Sequence, residues 1–491
     1  MDEKNNRKIP WIYFTISSIV GIVNIVFLEN QTMATVVVFL QCLILLILLI
    51  LNRITTCYSI LLIFSSLCIE SSVFAGTDVF YNFKNTRILG LNLVIWFLLI
   101  IIVVLLILKT RIDYELLKSM KSFILGFLFI VSFGTIMGII NIIINDNNIR
   151  NIDNYWSEYI SVFYTMALFP LLFASATLLC LFRNPNDIYK IKIAILAVFF
   201  GVSIQIAFSA LVGYRIKIAG LDGIGVASSL VIFYIPIAVC AAFYKGLLEK
   251  SCSYVYFFVT IGGTVFALLN NANGKIIILT VLMPFIICLI LNKKIVIPLV
   301  LLFVVVVSIV VIPMIDSDNN YLLSSKIEEV SKLFDITSPN WLSDMPASPR
   351  YRIAEFINSI IELFEKPFYL FFGKGYLGSI TDHVNMFVRV GGDFSEVQWK
   401  NGSFYYLHES LNLLLLNNGF FGVWFWIKTL KTWFRNYKKT FFILFGGIWF
   451  CLTYGYSVTI TSIGMTALIL GFYDIYVSMK TRKNVYENTV L

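Results

Sequence analysis

Runs of about twenty apolar residues recur along almost the whole chain, and they constrain the fold more than any other feature of the sequence. A helix needs roughly 20 mostly apolar residues to cross the hydrocarbon core of a bilayer. Of the 491 residues, 59% are hydrophobic and 13% are charged, whereas soluble globular proteins average about 45–50% and about 25%. The sequence therefore predicts an all-α, polytopic integral membrane protein. It excludes a water-soluble fold, a disordered chain and a secreted disulfide scaffold.

About fourteen spans are predicted, with one long loop ahead of the last three. The predicted spans are 10–28, 32–51, 54–74, 88–108, 122–144, 159–182, 193–212, 224–244, 252–271, 276–291, 295–315, 404–427, 441–456 and 459–478. The chain thus divides into eleven spans in residues 1–315, a loop of residues 316–403, and three spans in residues 404–491.

The distribution of basic residues predicts the orientation of these spans. With the N-terminus in the cytoplasm, the inner segments hold 23 Lys and Arg residues and the short outer loops hold six. Because short cytoplasmic loops carry the excess of Lys and Arg, both termini are predicted to lie inside and residues 316–403 outside. The net charge of +9 then reflects topology at an anionic inner leaflet, and no nucleic-acid partner is expected.

Cysteine positions and short motifs exclude several other classes. All eight cysteines lie in or beside apolar spans and none is arranged as CxxC, so they are predicted to be packing residues rather than disulfide or zinc ligands. The sequence contains no GxxxxGK[ST] loop, acidic metal cluster or internal repeat. An ATP-driven pump is therefore not supported, and no cofactor or metal is expected.

The long outer loop contains a predicted amphipathic helix over residues 348–367. Its apolar face consists of Ile353, Phe356, Ile357, Ile360, Ile361 and Phe364. Its polar face consists of Arg352, Glu355, Ser359, Glu362 and Lys366. Such a helix is expected to lie on the membrane surface or across the helix bundle. It is either a lid that only packs, or an element that directs Arg352, with Arg350 in reserve, at an anionic ligand.

One of the two histidines, His408, opens the predicted span 404–427, and Asn412 shares its helical face. A single histidine at a helix start is often structural. Its position at a membrane interface, beside a long loop, favours a functional role.

Several basic residues are predicted to lie on the same outer side as His408. Arg215 and Lys275 fall in short outer loops, and Arg350 and Arg352 fall in the long loop. Each alone could be an interfacial anchor that extends to lipid headgroups. Together they suit a pyrophosphate group, for which arginine provides a bidentate contact.

The C-terminal half resembles the O-antigen polymerase and O-antigen ligase superfamily of multi-span glycosyltransferases. The family's histidine, Leu-rich helix and GxxG end stand here as HESLNLLLLNNGFFG, which begins at His408. Its upstream signature of an arginine, an aromatic residue, a proline and a glycine pair stands as RIAEF from Arg352, then Pro367, then GKG at 373–375. The resemblance covers roughly residues 200–430.

Two further loops are similar to the family pattern in part. Arg215 and Gly220 are similar to the family's loop in which an arginine and then a glycine precede a span. NNANGK, which ends at Lys275, stands where the family often has a Ser-Arg pair, so that Lys275 is the nearest cation with an offset of a residue or two.

The resemblance implies a GT-C-like helix bundle in the bacterial inner membrane, acting in lipopolysaccharide or other polysaccharide biosynthesis. It implies metal-independent, inverting transfer of a glycan from undecaprenyl diphosphate to a sugar hydroxyl. His408 would be the general base, and Arg215, Arg352 and Lys275, with Arg350 and Asn412, would bind the diphosphate and substrate.

Three functions stay open at this point. A polymerase uses another lipid-linked repeat unit as acceptor, and a chain-length regulator of the same pathway is then a candidate partner. A ligase uses lipid A-core instead. A lipid-linked oligosaccharide flippase is the alternative from another class, although carriers usually show internal repeats and charges near the bilayer midplane.

Overall fold

We describe the protein from a computed structural model, which is mostly helical. The structure describes residues 3–27, 30–68, 83–84, 86–89, 91–144, 163, 168–212, 248, 250–270, 341–345, 347–387, 394, 396–405, 407, 409–436, 442 and 462–489. The chain divides into two compact units, Met1–Ile112 with Ser175–Ser324, and Asp113–Ala174 with Ser325–Leu491.

The first unit is a bundle of apolar helices. Its described helices are α1 (Glu3–Val26), α2 (Gln31–Ile50), α3 (Ile54–Ser66), α4 (Leu93–Ile107), the larger part of α6 (Phe169–Arg183), α7 (Ile188–Leu211) and α8 (Lys250–Asn270). Two antiparallel strands of two residues each, Arg87–Ile88 and Leu91–Asn92, precede α4. Helix α7 packs against α1, α3 and α8, and Phe14 stacks on Phe200 with ring centroids 4.6 Å apart.

The second unit is built on two long helices, α5 (Tyr114–Ile144) and α13 (Ser410–Asn436). The described residues of the predicted outer loop form four helices: α9 (Trp341–Asp344), α10 (Ala347–Glu365), α11 (Pro367–Phe372) and α12 (Glu396–Asn401). The last helix, α14 (Ser462–Thr489), packs against α5.

Within the described residues, five segments are long and apolar enough to cross a membrane. They are Lys8–Val26, Gln31–Ile50, Tyr114–Asn141, Ile188–Ser209 and Leu411–Thr432. Shorter apolar helices occupy the predicted spans 54–74, 88–108, 159–182 and 252–271. These helices are compatible with an all-α membrane protein. The predicted spans 224–244, 276–291, 295–315 and, apart from Phe442, 441–456 lie outside the described residues.

The start of the predicted span 404–427 is wrong. Helix α13 begins at Ser410, because Phe404 is extended and exchanges two backbone hydrogen bonds of 2.9 Å with Ile380. Phe404, Tyr405 and Leu407, which are buried, therefore belong to the packed part of the loop rather than to the span.

The cysteines of the described residues behave as the sequence predicts. Five are free thiols, of which four are buried and Cys42 is partly buried.

A glycine-containing turn after α11 joins the two long helices of the second unit. The backbone N–H groups of Lys374 and Gly375 donate to the carbonyls of Leu416 and Asn417 on α13, at 2.7 and 3.0 Å. The N–H of Tyr376 donates to the carbonyl of Gly134 on α5, at 2.9 Å. This turn, residues 373–376, is called the GKG turn below.

Glycine is required at Gly375 for two reasons. Its φ of +78° lies in the left-handed region, and a Cβ there would lie 1.9 Å from the backbone nitrogen of Gly138 on α5. Gly419 is the matching break in α13, with φ of 58° inside the helix. These two positive-φ conformations, which glycine adopts readily, allow a turn to reach the interior of two helices.

We expect Gly375→Ala to destabilise the second unit much more than Gly402→Ala. Both glycines have positive φ, which costs alanine about 1–2 kcal/mol. A Cβ at Gly402 meets nothing within 4 Å, whereas at Gly375 it must also displace α5, at a further ~1–3 kcal/mol. Denaturation of the detergent-solubilised protein measures both variants. Equal losses would contradict the close packing of the GKG turn.

Candidate functional site

Helix α10 buries its polar face and exposes much of its apolar face. Glu355, Asn358, Ser359 and Glu362 are buried, and so are Tyr351, Ala354 and Leu363. Phe356, Ile361 and Phe364 are exposed. The amphipathic helix predicted for residues 348–367 is present as Ala347–Glu365, and its polar side chains point into the protein. They form two centres, one at each end of the helix.

The first centre joins the beginning of α10 to the beginning of α13. The guanidinium of Arg352 forms an ion pair through Nε with Oε1 of Glu409, the residue before α13. Asn412 Nδ2 donates to the carbonyl of Arg352 at 3.0 Å and lies 3.4 Å from Oε2 of Glu355. Because Glu409, Asn412 and Glu355 are buried, this contact fixes Arg352 against the start of the span.

The predicted site residues are brought together in part. Arg352 and Asn412 are in contact, whereas Arg350 turns to the preceding helix and donates from Nη1 to the carbonyl of Ser343 at 2.9 Å. His408, Arg215 and Lys275 lie outside the described residues.

The second centre is a buried ion pair with a histidine beside it. Lys374 Nζ lies 2.7 Å from Oε2 of Glu362 and donates to the carbonyl of Ser379 at 2.9 Å. The side chains of Lys374 and Glu362 are each 3% exposed. His383 Nε2 lies 3.0 Å from the other oxygen, Oε1, of Glu362. A carboxylate can only accept, so Nε2 carries the proton and donates.

Glu362 stays ionised at neutral pH despite its burial. Burial by itself raises the pKa of Glu362, but the charge of Lys374 and hydrogen bonds from Lys374, Thr381 and His383 outweigh it and lower the pKa below its ordinary value of 4.5. The second centre is therefore a charged pair inside the protein and not a neutral one.

A polar loop closes over the second centre. Asn358 Oδ1 accepts from the N–H of His383 at 3.0 Å, and Asn358 Nδ2 donates to Asp382 at 3.1 Å. Asp382 also accepts from the N–H groups of Met386 and Phe387, at 3.2 and 2.8 Å. These bonds fix the backbone at His383, so its imidazole is held by both its main chain and Glu362.

The two centres are too far apart to act on one reacting bond. Arg352 and Glu362 are ten residues apart on α10, which corresponds to about 15 Å along the helix axis. His383 contacts Glu362 and therefore belongs to the far end of the helix from Arg352.

Carboxylate and imidazole groups at the second centre also have the spacing of a metal site. One ligand atom from each of Glu362, Glu365 and His383 lies within 4.8 Å of the others. The ammonium of Lys374, however, already neutralises Glu362 at 2.7 Å, and its charge opposes a cation at the same carboxylate. We therefore interpret Glu362 as the ion-pair partner of Lys374 rather than as a metal ligand.

Sequence reasoning missed the partners of the predicted residues. Glu409, Glu362 and Lys374 carry the two ion pairs. Their positions in the sequence could have indicated them, because Glu409 follows His408 directly and Lys374 is the central residue of the GKG sequence.

Comparison of the chain with protein-family models, with curated proteins and with solved structures gives no significant match.

We expect Glu362→Gln and Lys374→Met each to lower the free energy of unfolding by roughly 3–5 kcal/mol, because either change leaves one buried charge without its partner. The double variant should lose clearly less than the sum of the two. Denaturant unfolding of the detergent-solubilised protein gives this double-mutant cycle.

The control for this cycle is Lys400→Met, which removes an exposed lysine of α12. It should change the free energy of unfolding by no more than ~0.5 kcal/mol. Additive losses for Glu362 and Lys374 would show that the two charges do not depend on each other.

Proposed function

We propose that this protein is a membrane glycosyltransferase of the O-antigen polymerase type. It transfers an undecaprenyl-diphosphate-linked glycan onto a sugar hydroxyl of another lipid-linked repeat unit. Its place is the bacterial inner membrane, with both termini in the cytoplasm and the site on the outer face. A chain-length regulator of the same pathway is a candidate partner.

One observation carries the proposal: the two sequence segments that resemble the family pack against each other along their length. Arg352 of the upstream segment pairs with Glu409, which follows His408 in the chain. One to two turns further along α13, the GKG turn binds the carbonyls of Leu416 and Asn417. The segments are separated by more than thirty residues in sequence, so their pairing favours one common site.

The proposed chemistry uses Arg352 of the first centre together with His408, Arg215 and Lys275. His408 accepts the proton of the acceptor hydroxyl as its oxygen bonds to the anomeric carbon, a role that contributes about 10²–10⁴ in rate. The bond from that carbon to the diphosphate breaks, and its electron pair leaves with undecaprenyl diphosphate. Arg352, with Arg215 and Lys275 as further cations, stabilises the charge that develops on this leaving group. Attack from the opposite face inverts the anomeric carbon.

Between the two histidines, the geometry favours His408 as the base. His383 is hydrogen-bonded to Glu362, about 15 Å along α10 from Arg352. The anomeric carbon is bonded to the diphosphate, so base and cation must lie within a few ångströms of one another. Glu409, which Arg352 contacts, is the neighbour of His408 in the chain.

The proposal is tested by deleting the gene in its host and supplying wild-type, His408→Ala or His383→Ala copies. Surface glycan and lipid A-core are then separated on a gel. We expect His408→Ala to leave core with a single repeat unit and no ladder, and His383→Ala to retain the ladder. Equal membrane amounts of the three proteins are the control, and a normal ladder with His408→Ala would remove His408 from the mechanism.

The same gel separates the alternatives. Bare core, with long chains accumulating on undecaprenyl diphosphate, would identify a ligase. Repeat units held on the cytoplasmic side of the membrane would identify a flippase and overturn the enzyme proposal.

Arg352→Lys should reduce the elongation rate by roughly 10- to 100-fold, because lysine loses both the bidentate contact and the Nε contact with Glu409. This range corresponds to the ~1.5–3 kcal/mol of a charge-assisted hydrogen bond. The rate is measured in membranes supplied with the lipid-linked repeat unit, with Lys400→Arg as the charge-preserving control. Activity equal to that control would make Arg352 an anchor only.

A further inference from the structure

The GKG turn binds the interior of two membrane-spanning helices and not their ends. On α5 it contacts Gly134, which lies seven residues before the end of the apolar span at Asn141. That separation is about 10 Å, a third of the roughly 30 Å hydrocarbon thickness. On α13 it contacts Leu416 and Asn417, five and six residues into the apolar span that begins at Leu411. Both helices place the turn at membrane depth.

The surface around α11 is apolar and continuous with the exposed surface of these spans. Phe364, Phe368 and Phe371 are 64%, 41% and 50% exposed. Phe371 and Phe372 contact Phe421 of α13, with ring centroids 6.4 and 5.4 Å apart. Phe372 also stacks on Phe133 of α5 at 5.2 Å. Phe421 is itself exposed on its span, so one aromatic surface extends from α13 across α11.

The backbone N–H groups and the charge of the GKG turn are paired, as membrane depth requires. Non-helical backbone is tolerated in the hydrocarbon region only where its N–H and C=O groups are satisfied within the protein. The N–H groups of residues 373–376 all donate to backbone carbonyls, and the carbonyl of Lys374 accepts from Asn141. The ammonium of Lys374 is neutralised by Glu362. No charge of this turn is left facing lipid.

We infer that α11 and the GKG turn, residues 367–376, form a re-entrant segment inside the bilayer, with Phe368 and Phe371 against the lipid acyl chains. The proposed occupant of this exposed aromatic surface is bilayer hydrocarbon, because the surface continues onto α13, which is long and apolar enough to cross a membrane. The predicted outer loop 316–403 therefore contains a membrane-embedded element. This inference does not depend on the proposed enzymatic activity.

The test measures the depth of nitroxide labels at residues 368 and 371 in the full-length protein. A ketone-bearing amino acid introduced at one position at a time carries the label, so that the eight native cysteines stay unchanged. The protein is reconstituted in vesicles of phosphatidylethanolamine and phosphatidylglycerol. Collision of each label with oxygen, which partitions into lipid, is compared with collision with a water-soluble nickel chelate.

Two labelled positions provide the reference values. Phe39, exposed on the apolar span Gln31–Ile50, reports lipid, and Lys400, exposed on α12 of the same loop, reports water. We expect the labels at 368 and 371 to match position 39, with at least a several-fold excess of oxygen over nickel collisions. Nickel collisions as frequent as those at position 400 would overturn the inference.

Discussion

The second unit depends on the close approach of one turn to two helices. A backbone that leaves regular secondary structure inside an apolar bundle exposes N–H groups that have no water to bind, and each unpaired group costs several kcal/mol. Here the N–H groups of the GKG turn are paired, and two of them donate to carbonyls of α13 next to the break in that helix at Gly419. The positions of Glu362, Lys374 and Arg352 all follow from this pairing.

The burial of α10 follows from the same constraint. Lys374 is buried because it belongs to the GKG turn, and a buried ammonium needs a partner of opposite charge. Glu362 on the last turns of α10 does this, which directs the polar face of the helix inward. The apolar face then faces outward. An amphipathic helix usually buries its apolar face, whereas α10 buries Glu355, Ser359 and Glu362 and exposes Phe356, Ile361 and Phe364.

Much of the fold could be predicted from the sequence, because apolar runs and proline positions are local signals. The helix at 347–365 and most helices of the described residues coincide with predicted segments. Arg352 and Asn412, two predicted site residues from separate segments, are in contact, and their role in a site stays a prediction. The ion pairs were not predictable, since Glu362 and Lys374 are twelve residues apart across a helix end. Glu409 and Arg352 are separated further still, and neither pair has a periodic signal.

The partnership of Arg352 with Glu409 also limits how the first centre can work. A guanidinium that is held by a buried carboxylate is positioned but partly neutralised, so it attracts a diphosphate less than an isolated arginine would. Binding of a doubly charged leaving group at this place therefore needs other cations, and Arg215 and Lys275 are the residues proposed to supply them. If Arg352 acts on the leaving group, its rigid placement contributes more than its net charge does. On the proposed function, fixed charges rather than flexible ones would stabilise the transition state.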